Sequence, residues 1–334
     1  MKICIVGLGA VGGLFAGWLG SRPGVGKLQL CALARGATLA AVQQHGLRLE
    51  SAGVVTRVPL HVAADPAALG AQDLVLVAVK GPALVAVAPA VQALCSDATQ
   101  VLVAMNGVPW WFFDGLPGAC AGLRLKSVDP DGQLQRLLPT AQVIGGVVHA
   151  SCQVPAPGQV AHAQGNGLVI GRPGGGIDSG LQAIAALLGQ AGFATTVSER
   201  IQREVWFKLW GNLTLNPISA LTGATGDLIL DDPLVRAFIS AVMLEMKAVG
   251  AAFGIPIEQS PADRHAVTRK LGAFKTSMLQ DSQAGRPLEI DGLVGAVREI
   301  AQKLGLATPN IDALLGLVRL MARERGLYPT PALG

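Results

Sequence analysis

The stretch that most constrains this chain comes first. The short apolar run Lys2–Val6 passes directly into Gly7-Leu8-Gly9-Ala10-Val11-Gly12-Gly13, and that into a helical pattern with apolar Leu14, Phe15 and Leu19. Strand, GxGxxG turn and helix in this order make the phosphate-binding corner of a dinucleotide fold. Gly7 permits the tight turn, Gly9 lets the backbone approach a pyrophosphate, and Gly12 lets helix and strand pack closely, with the helix N-terminus facing the anion. A lone GxGxxG is a weak signal, but between a strand and a helix it is a specific one. Gly7, Leu8, Gly9, Ala10, Val11 and Gly12 are therefore the expected pyrophosphate site. The plainer alternative is a glycine-rich turn with no ligand.

The rest of the first half continues that fold. Strand-like runs at 28–33, 74–79 and 100–104 alternate with helical stretches, which indicates a parallel doubly wound sheet. Apolar, β-branched runs at 142–154 and 168–171 read as strands added to the same sheet. Residues 114–139 are irregular and carry the turn signal Val128-Asp129-Pro130-Asp131-Gly132, so an excursion or hairpin is expected there. After about Val197 helical periodicity takes over. The stripe Ile290, Leu293, Val294, Val297, Ile300 and Leu304 is one example, and Thr308-Pro309 reads as the N-cap and first residue of the last helix. The expectation is an α/β chain: a Rossmann-type domain with added strands over residues 1–197, and an all-helical domain over 198–334.

Composition narrows the function classes. Hydrophobic residues are 51% and charged residues 14% of 334, with 43 Gly. That suits a globular enzyme of two cores rather than a disordered chain. The most apolar stretch, 74–95, is broken by Lys80, Gly81, Pro82, Pro89 and Gln92, so no membrane span is expected. Met1-Lys2 before an apolar run mimics a secretory signal, but that run holds the phosphate corner and is read as part of the fold. Five scattered cysteines with no CxxC pair suggest neither zinc nor a disulfide framework, and a cytoplasmic location fits. A net charge of +4, no basic run and one Tyr give nucleic acid little to bind. The expected partner is a small molecule, and a homodimer is compatible with the chain.

Nicotinamide choice rests on the second strand. Its end carries no acidic residue for the ribose hydroxyls and runs instead into Ala34-Arg35-Gly36, where a guanidinium can pair with a 2′-phosphate. NADP(H) is expected over NAD, the plainer reading of Arg35 being a surface loop arginine. Lys80 and Asn106 follow two later strands, at the carboxyl edge where ligands of such sheets bind. Otherwise Lys80 is a solvated lysine and Asn106-Gly107 a turn.

In the second half, Lys208, Asn212 and Asn216 fall at i, i+4 and i+8, a polar row bordering Val205, Leu209 and Leu213. Reducing a keto group needs a proton for the oxygen as hydride reaches the carbon, and a partly desolvated lysine can supply it. Glu204, four residues before Lys208, offers the plainer reading of an exposed helix pair. Two asparagines in register on a helix ask for another reason. Pro217 is expected to limit the helix beyond Asn216. Farther on, Ser277 can bind a carboxylate and Glu289 can lie near the reacting centre, although Glu289 and Asp291 at a helix start also suit the helix dipole.

Together these blocks resemble the ketopantoate reductase family, the 2-dehydropantoate 2-reductases, over essentially the whole chain. The matching motifs are GxGxxG, Arg35, Lys80, Asn106-Gly107, the row ending Asn216-Pro217, Ser277-Met278-Leu279-Gln280-Asp281, Gly285-Arg286-Pro287 and Glu289-Ile290-Asp291. The resemblance implies a Rossmann domain plus a helical domain that close on NADPH and a 2-keto acid, reducing 2-dehydropantoate to pantoate on the route to coenzyme A. It implies Lys208 as general acid, with Glu289 orienting lysine and cofactor. Asn212, Asn216 and Ser277 would hold the substrate hydroxyl and carboxylate, and Asn106 would bridge substrate and nicotinamide ribose. The chain departs from the compact members in Trp110-Trp111-Phe112-Phe113 and in the 114–139 excursion. Either could act in packing or reshape the pocket for another 2-keto acid. Two further alternatives are a β-hydroxyacid dehydrogenase, whose cofactor loop and lysine motif fit less well, and a non-catalytic NADP sensor, which would not need the polar row.

Overall fold

Ile3-Cys4-Ile5-Val6, Leu74-Val75-Leu76-Val77 and Val101-Leu102-Val103 have no polar face, as strands covered on both sides require. In the computed structural model, which describes residues 1–22 and 28–329, each of these side chains is at most 1% exposed. They form the middle of a ten-stranded sheet. Its strands are β1 (Lys2–Val6), β2 (Gln29–Leu33), β3 (Leu47–Ser51), β4 (Val54–Val58), β5 (His61–Ala63), β6 (Leu74–Val77), β7 (Gln100–Ala104), β8 (Val143–Gln153), β9 (Gln159–Gly171) and β10 (Ala194–Val197). Their spatial order is β4-β3-β9-β8-β7-β6-β1-β2-β5, with β10 beside β9. All pairs from β5 through β8 are parallel, while β8–β9 and β3–β4 are antiparallel. This is the expected parallel core with added strands.

The helices of this part are α1 (Ala10–Ser21), α2 (Gly36–His45), α3 (Gly81–Ala93), α4 (Gln133–Leu137) and α5 (Ser179–Ala191). Helix α1 presses on the sheet through Gly13, Gly17 and Gly20, where a Cβ would run into Val160, Leu49 and Val58 in turn. The described residues divide into two units, Met1–Met105 with Gly132–Glu204, and Asn106–Asp131 with Val205–Gly334.

Several local expectations need correction. Residues 47–63 carry three strands that the sequence reading left unassigned, and β9 starts at Gln159 rather than near Leu168. The 114–139 stretch contains no strand among the described residues and so is not a hairpin. It is a run of turns ending in α4.

The helices of the second unit are α6 (Ile201–Thr222), α7 (Gly226–Asp231), α8 (Pro233–Ala252), α9 (Pro261–Arg269), α10 (Ser277–Gln283), α11 (Ala296–Lys303) and α12 (Pro309–Glu324), with a wide π turn at Asp291–Gly295 leading into α11. The first four residues of α6 are part of the first unit. The apolar stripe from Ile290 to Ile300 is buried as expected. Pro217, however, does not stop α6, which runs on to Thr222. A proline inside a helix costs about 3 kcal/mol. Burial of Leu213, Leu215, Ile218 and Ala220 on both sides of it outweighs that cost, and Ser219 Oγ donates to the Asn216 carbonyl at 2.9 Å.

Thr308 does hold the N-cap position of α12, but its side chain makes no capping bond. Glu245 of α8 caps that helix instead. Its carboxylate accepts from the backbone N–H groups of Asn310 and Ile311, both at 2.9 Å, and from Asn310 Nδ2 at 2.6 Å.

Candidate active site

In the first unit the GxGxxG turn leaves β1 with Gly7 N–H donating to the Leu33 carbonyl of β2 at 3.2 Å. Gly7 has φ +93°, and a Cβ there would lie 2.7 Å from Val79 Cγ1. At Gly12 a Cβ would strike the Gly7 carbonyl oxygen and come within 3.1 Å of Ala78 Cβ. Both glycines are thus demanded by the fold itself.

Gly9 is different. Its φ is −76°, which any residue adopts, and a Cβ there would meet nothing within 4 Å. It is the exposed N-cap of α1, so no side chain of its own caps the first N–H groups of the helix and the space a Cβ would fill beside them is clear. Donors at a helix N-terminus, with room kept clear in front of them, are what a pyrophosphate requires. The residues present therefore fit a bound dinucleotide. Leu8, Ala10 and Val11 complete the turn.

Arg35 is exposed at the N-cap of α2, two residues beyond the Leu33 carbonyl that receives Gly7 N–H. Lys80 is half-buried at the N-cap of α3, next to Val79, which packs on Gly7. Of the expected cofactor residues, Gly7 through Gly12, Arg35 and Lys80 thus lie in the first unit, at the ends of its strands, whereas Asn106 and Glu289 belong to the second.

In the second unit, α6 carries Lys208 and Asn212, both half-buried, and Asn216, which is buried. Burial pushes the Lys208 ammonium down to a pKa of about 8, and the charge of Glu289 draws it partly back up. Glu289 itself is buried. Removing an ammonium from water disfavours its charged form, and a nearby carboxylate favours it. The balance leaves a lysine that changes protonation close to neutral pH.

Helix α10 is fastened to α6 beside this row. Asn216 Nδ2 donates to Ser277 Oγ at 3.5 Å, and one turn on the Ser219 and Thr276 hydroxyls meet at 2.5 Å. Thr276 is also the N-cap of α10, its Oγ1 accepting Leu279 N–H. The loop after α10 is held by Asp281, which accepts from Arg286 Nε at 3.0 Å. This leads the chain directly into Leu288 and Glu289.

Asn106 reaches the same neighbourhood by a backbone contact. Gly107 has φ +82°, and a Cβ there would lie 2.5 Å from the Gly292 carbonyl oxygen. Val108 N–H donates to that oxygen at 2.9 Å. Asn106 is therefore anchored against the π turn that begins two residues after Glu289. Gly107 serves a close approach between two backbone segments, more than the simple turn its sequence suggests.

Trp110, Trp111, Phe112 and Phe113 are all buried. Phe112 and Phe113 pack edge to face at 5.0 Å between centroids, and Phe113 and Trp206 both stack edge-on to Phe253, at 5.4 and 4.9 Å. The aromatic departure from the family pattern is core packing of the second unit.

The sequence reading gave no part to Ser219, Thr276 or Gly292. A hydroxyl one turn beyond Asn216 and a glycine after Glu289-Ile290-Asp291 were the available signals.

Comparison with known proteins gives the family of the chain. The family model described as ketopantoate reductase PanE/ApbA matches residues 3–175, and its C-terminal counterpart matches residues 200–322. A 2-dehydropantoate 2-reductase from Mesorhizobium japonicum is 42% identical over 98% of this chain and 100% of its own length. The crystal structure of a Ralstonia solanacearum MolK2 protein assigned as a ketopantoate reductase is 56% identical, with a TM-score of 0.93 over 98% of this chain and 99% of that one. A PanE/ApbA family ketopantoate reductase from Ralstonia eutropha JMP134 is 27% identical, with a TM-score of 0.82 over 98% and 100%.

Proposed function

The chain belongs to the ketopantoate reductase family of oxidoreductases acting on keto groups, and from that premise we propose that it reduces 2-dehydropantoate to pantoate with NADPH, in the cytoplasm, as a step toward coenzyme A. The observation that carries the reading is Lys208, held between burial and Glu289 with a pKa of about 8 and in line with Asn212 and Asn216.

When bound, the nicotinamide dinucleotide supplies the hydride that adds to the keto carbon. Everything else falls to the chain's own residues. Gly7 through Gly12 present backbone N–H groups and an open helix N-terminus to the pyrophosphate, and Arg35 pairs with the 2′-phosphate that distinguishes NADPH from NADH. Lys80 supplies a further cation at the same corner. Asn212, Asn216 and Ser277 hold the substrate hydroxyl and carboxylate, and Asn106 spans substrate and nicotinamide ribose. Lys208 donates its proton to the carbonyl oxygen as negative charge builds there, forming the new O–H bond, and regains a proton from solvent afterwards. Glu289 keeps the lysine charged until that moment and orients it.

Burial of the aromatic run in the core removes one of the two sequence-based reasons for expecting an altered substrate, the other being the 114–139 stretch. The test is NADPH consumption with purified protein, comparing 2-dehydropantoate with pyruvate, 2-ketoisovalerate and bulkier 2-keto acids at equal concentration. Fast turnover with 2-dehydropantoate is expected. Turnover confined to another keto acid would overturn the substrate while leaving the lysine chemistry in place.

A further inference from the structure

The segment that carries Glu289 is strapped down from the far end of the chain. After α12 the backbone turns back, with Leu327 N–H donating to the Ala322 carbonyl at 2.7 Å. The Leu327 carbonyl then accepts Leu288 N–H at 3.1 Å, and the Tyr328 hydroxyl donates to Asp291 Oδ1 at 2.6 Å. These two bonds grip the residue before Glu289 and the residue two after it. On the other side of the π turn, Val108 N–H holds the Gly292 carbonyl.

We infer that Tyr328 is a positioning residue: by bonding Asp291 while the adjacent Leu327 bonds Leu288, it fixes the short segment between them and so places Glu289 against Lys208. The inference rests on the proposed reading of Lys208 as the acid. Burial raises the affinity of Asp291 for its proton, and the Tyr328 hydroxyl, with the Arg319 and Arg323 charges of α12, opposes that. The bond is therefore made to a carboxylate screened from water, where a charge-assisted hydrogen bond is strong and directional. Arg323 also covers the Tyr328 ring at 5.5 Å from its centroid, so the ring stays in place when only the hydroxyl is removed. A carboxylate that drifts from Lys208 supports its charge less, and the lysine then gives up its proton at lower pH.

The test is Tyr328→Phe, read in two ways. The first is the pH dependence of kcat with NADPH and 2-dehydropantoate. The second uses the protein alone: the rate at which acetic anhydride modifies Lys208, followed by mass spectrometry across the neutral to alkaline range. Expected are a kcat lowered by about tenfold, the order that small displacements of a catalytic group cost, and both titrations moved to lower pH. Asp291→Asn keeps an oxygen for the hydroxyl without the charge and should fall between the wild type and Asp291→Leu, which should behave like Tyr328→Phe. Unmoved titrations in Tyr328→Phe overturn the strap alone. A wild-type alkaline limb that survives in Lys208→Ala overturns the acid reading, and the strap with it.

Discussion

Burial and Glu289 pull on the Lys208 proton in opposite directions: the first lowers the lysine pKa to about 8, and the second limits the fall. The sign of the pH dependence follows. Below about 8 the lysine is charged and can donate, and above it the neutral amine cannot. For keto-acid reduction, kcat/KM should be level on the acid side and fall as pH rises through that value, while alcohol oxidation should rise over the same interval. Glu289→Gln removes the charge that favours the ammonium, so the falling limb should move to lower pH. A limb that stays in place in Glu289→Gln would show that Glu289 does not act on Lys208.

Gly9 and Gly12 separate ligand demands from folding demands. An added methyl at Gly9 meets no protein atom within 4 Å, so Gly9→Ala should keep the thermal midpoint while weakening NADPH binding at least about tenfold, roughly 1.4 kcal/mol. Gly12→Ala drives a Cβ into the Gly7 carbonyl and should lose about 1–3 kcal/mol of stability, the usual cost of overpacking. Equal stability losses in both variants would refute the distinction.

Arg35 should decide between the two nicotinamide cofactors. Removing its guanidinium in Arg35→Ala should raise the Michaelis constant for NADPH by about tenfold or more, the order of one charge-assisted pair, and leave that for NADH nearly unchanged. An unaltered NADPH constant would make Arg35 an ordinary loop residue.

Glu245 offers a purely structural check on the second unit. Its carboxylate takes three donors at the start of α12. Glu245→Ala should therefore cost about 1–2 kcal/mol in denaturant unfolding, as lost helix caps do, with kcat within error of wild type.

How much of this was legible depended on whether the signal was local. The strand, glycine turn and helix at the start of the chain and the central strands could be read because each lies in a few consecutive residues whose chemistry is set by neighbours in sequence. Strands β3 and β4 were missed because Leu47-Arg48-Leu49-Glu50 alternates, with one face buried and one charged, over too short a span to stand out from loop. The cap on α12 was assigned to Thr308 from local pattern, whereas the donors turn to Glu245, 65 residues away in sequence. The continuation of α6 through Pro217 was illegible for the same reason, since burial by distant residues outweighs a local rule. Within the site, the row Lys208, Asn212 and Asn216 showed itself by periodicity. The hold of Thr276 on Ser219, of Gly107 on Gly292 and of Tyr328 on Asp291 are tertiary contacts with no local signature.

The most direct test of the central claim is Lys208→Ala, with NADPH binding measured by titration and turnover of 2-dehydropantoate by the loss of NADPH absorbance. The account predicts retained NADPH binding and a kcat lowered by about 10²–10⁴-fold, the usual contribution of a general acid. Turnover near that of the wild type would contradict it and leave Lys208 a structural residue.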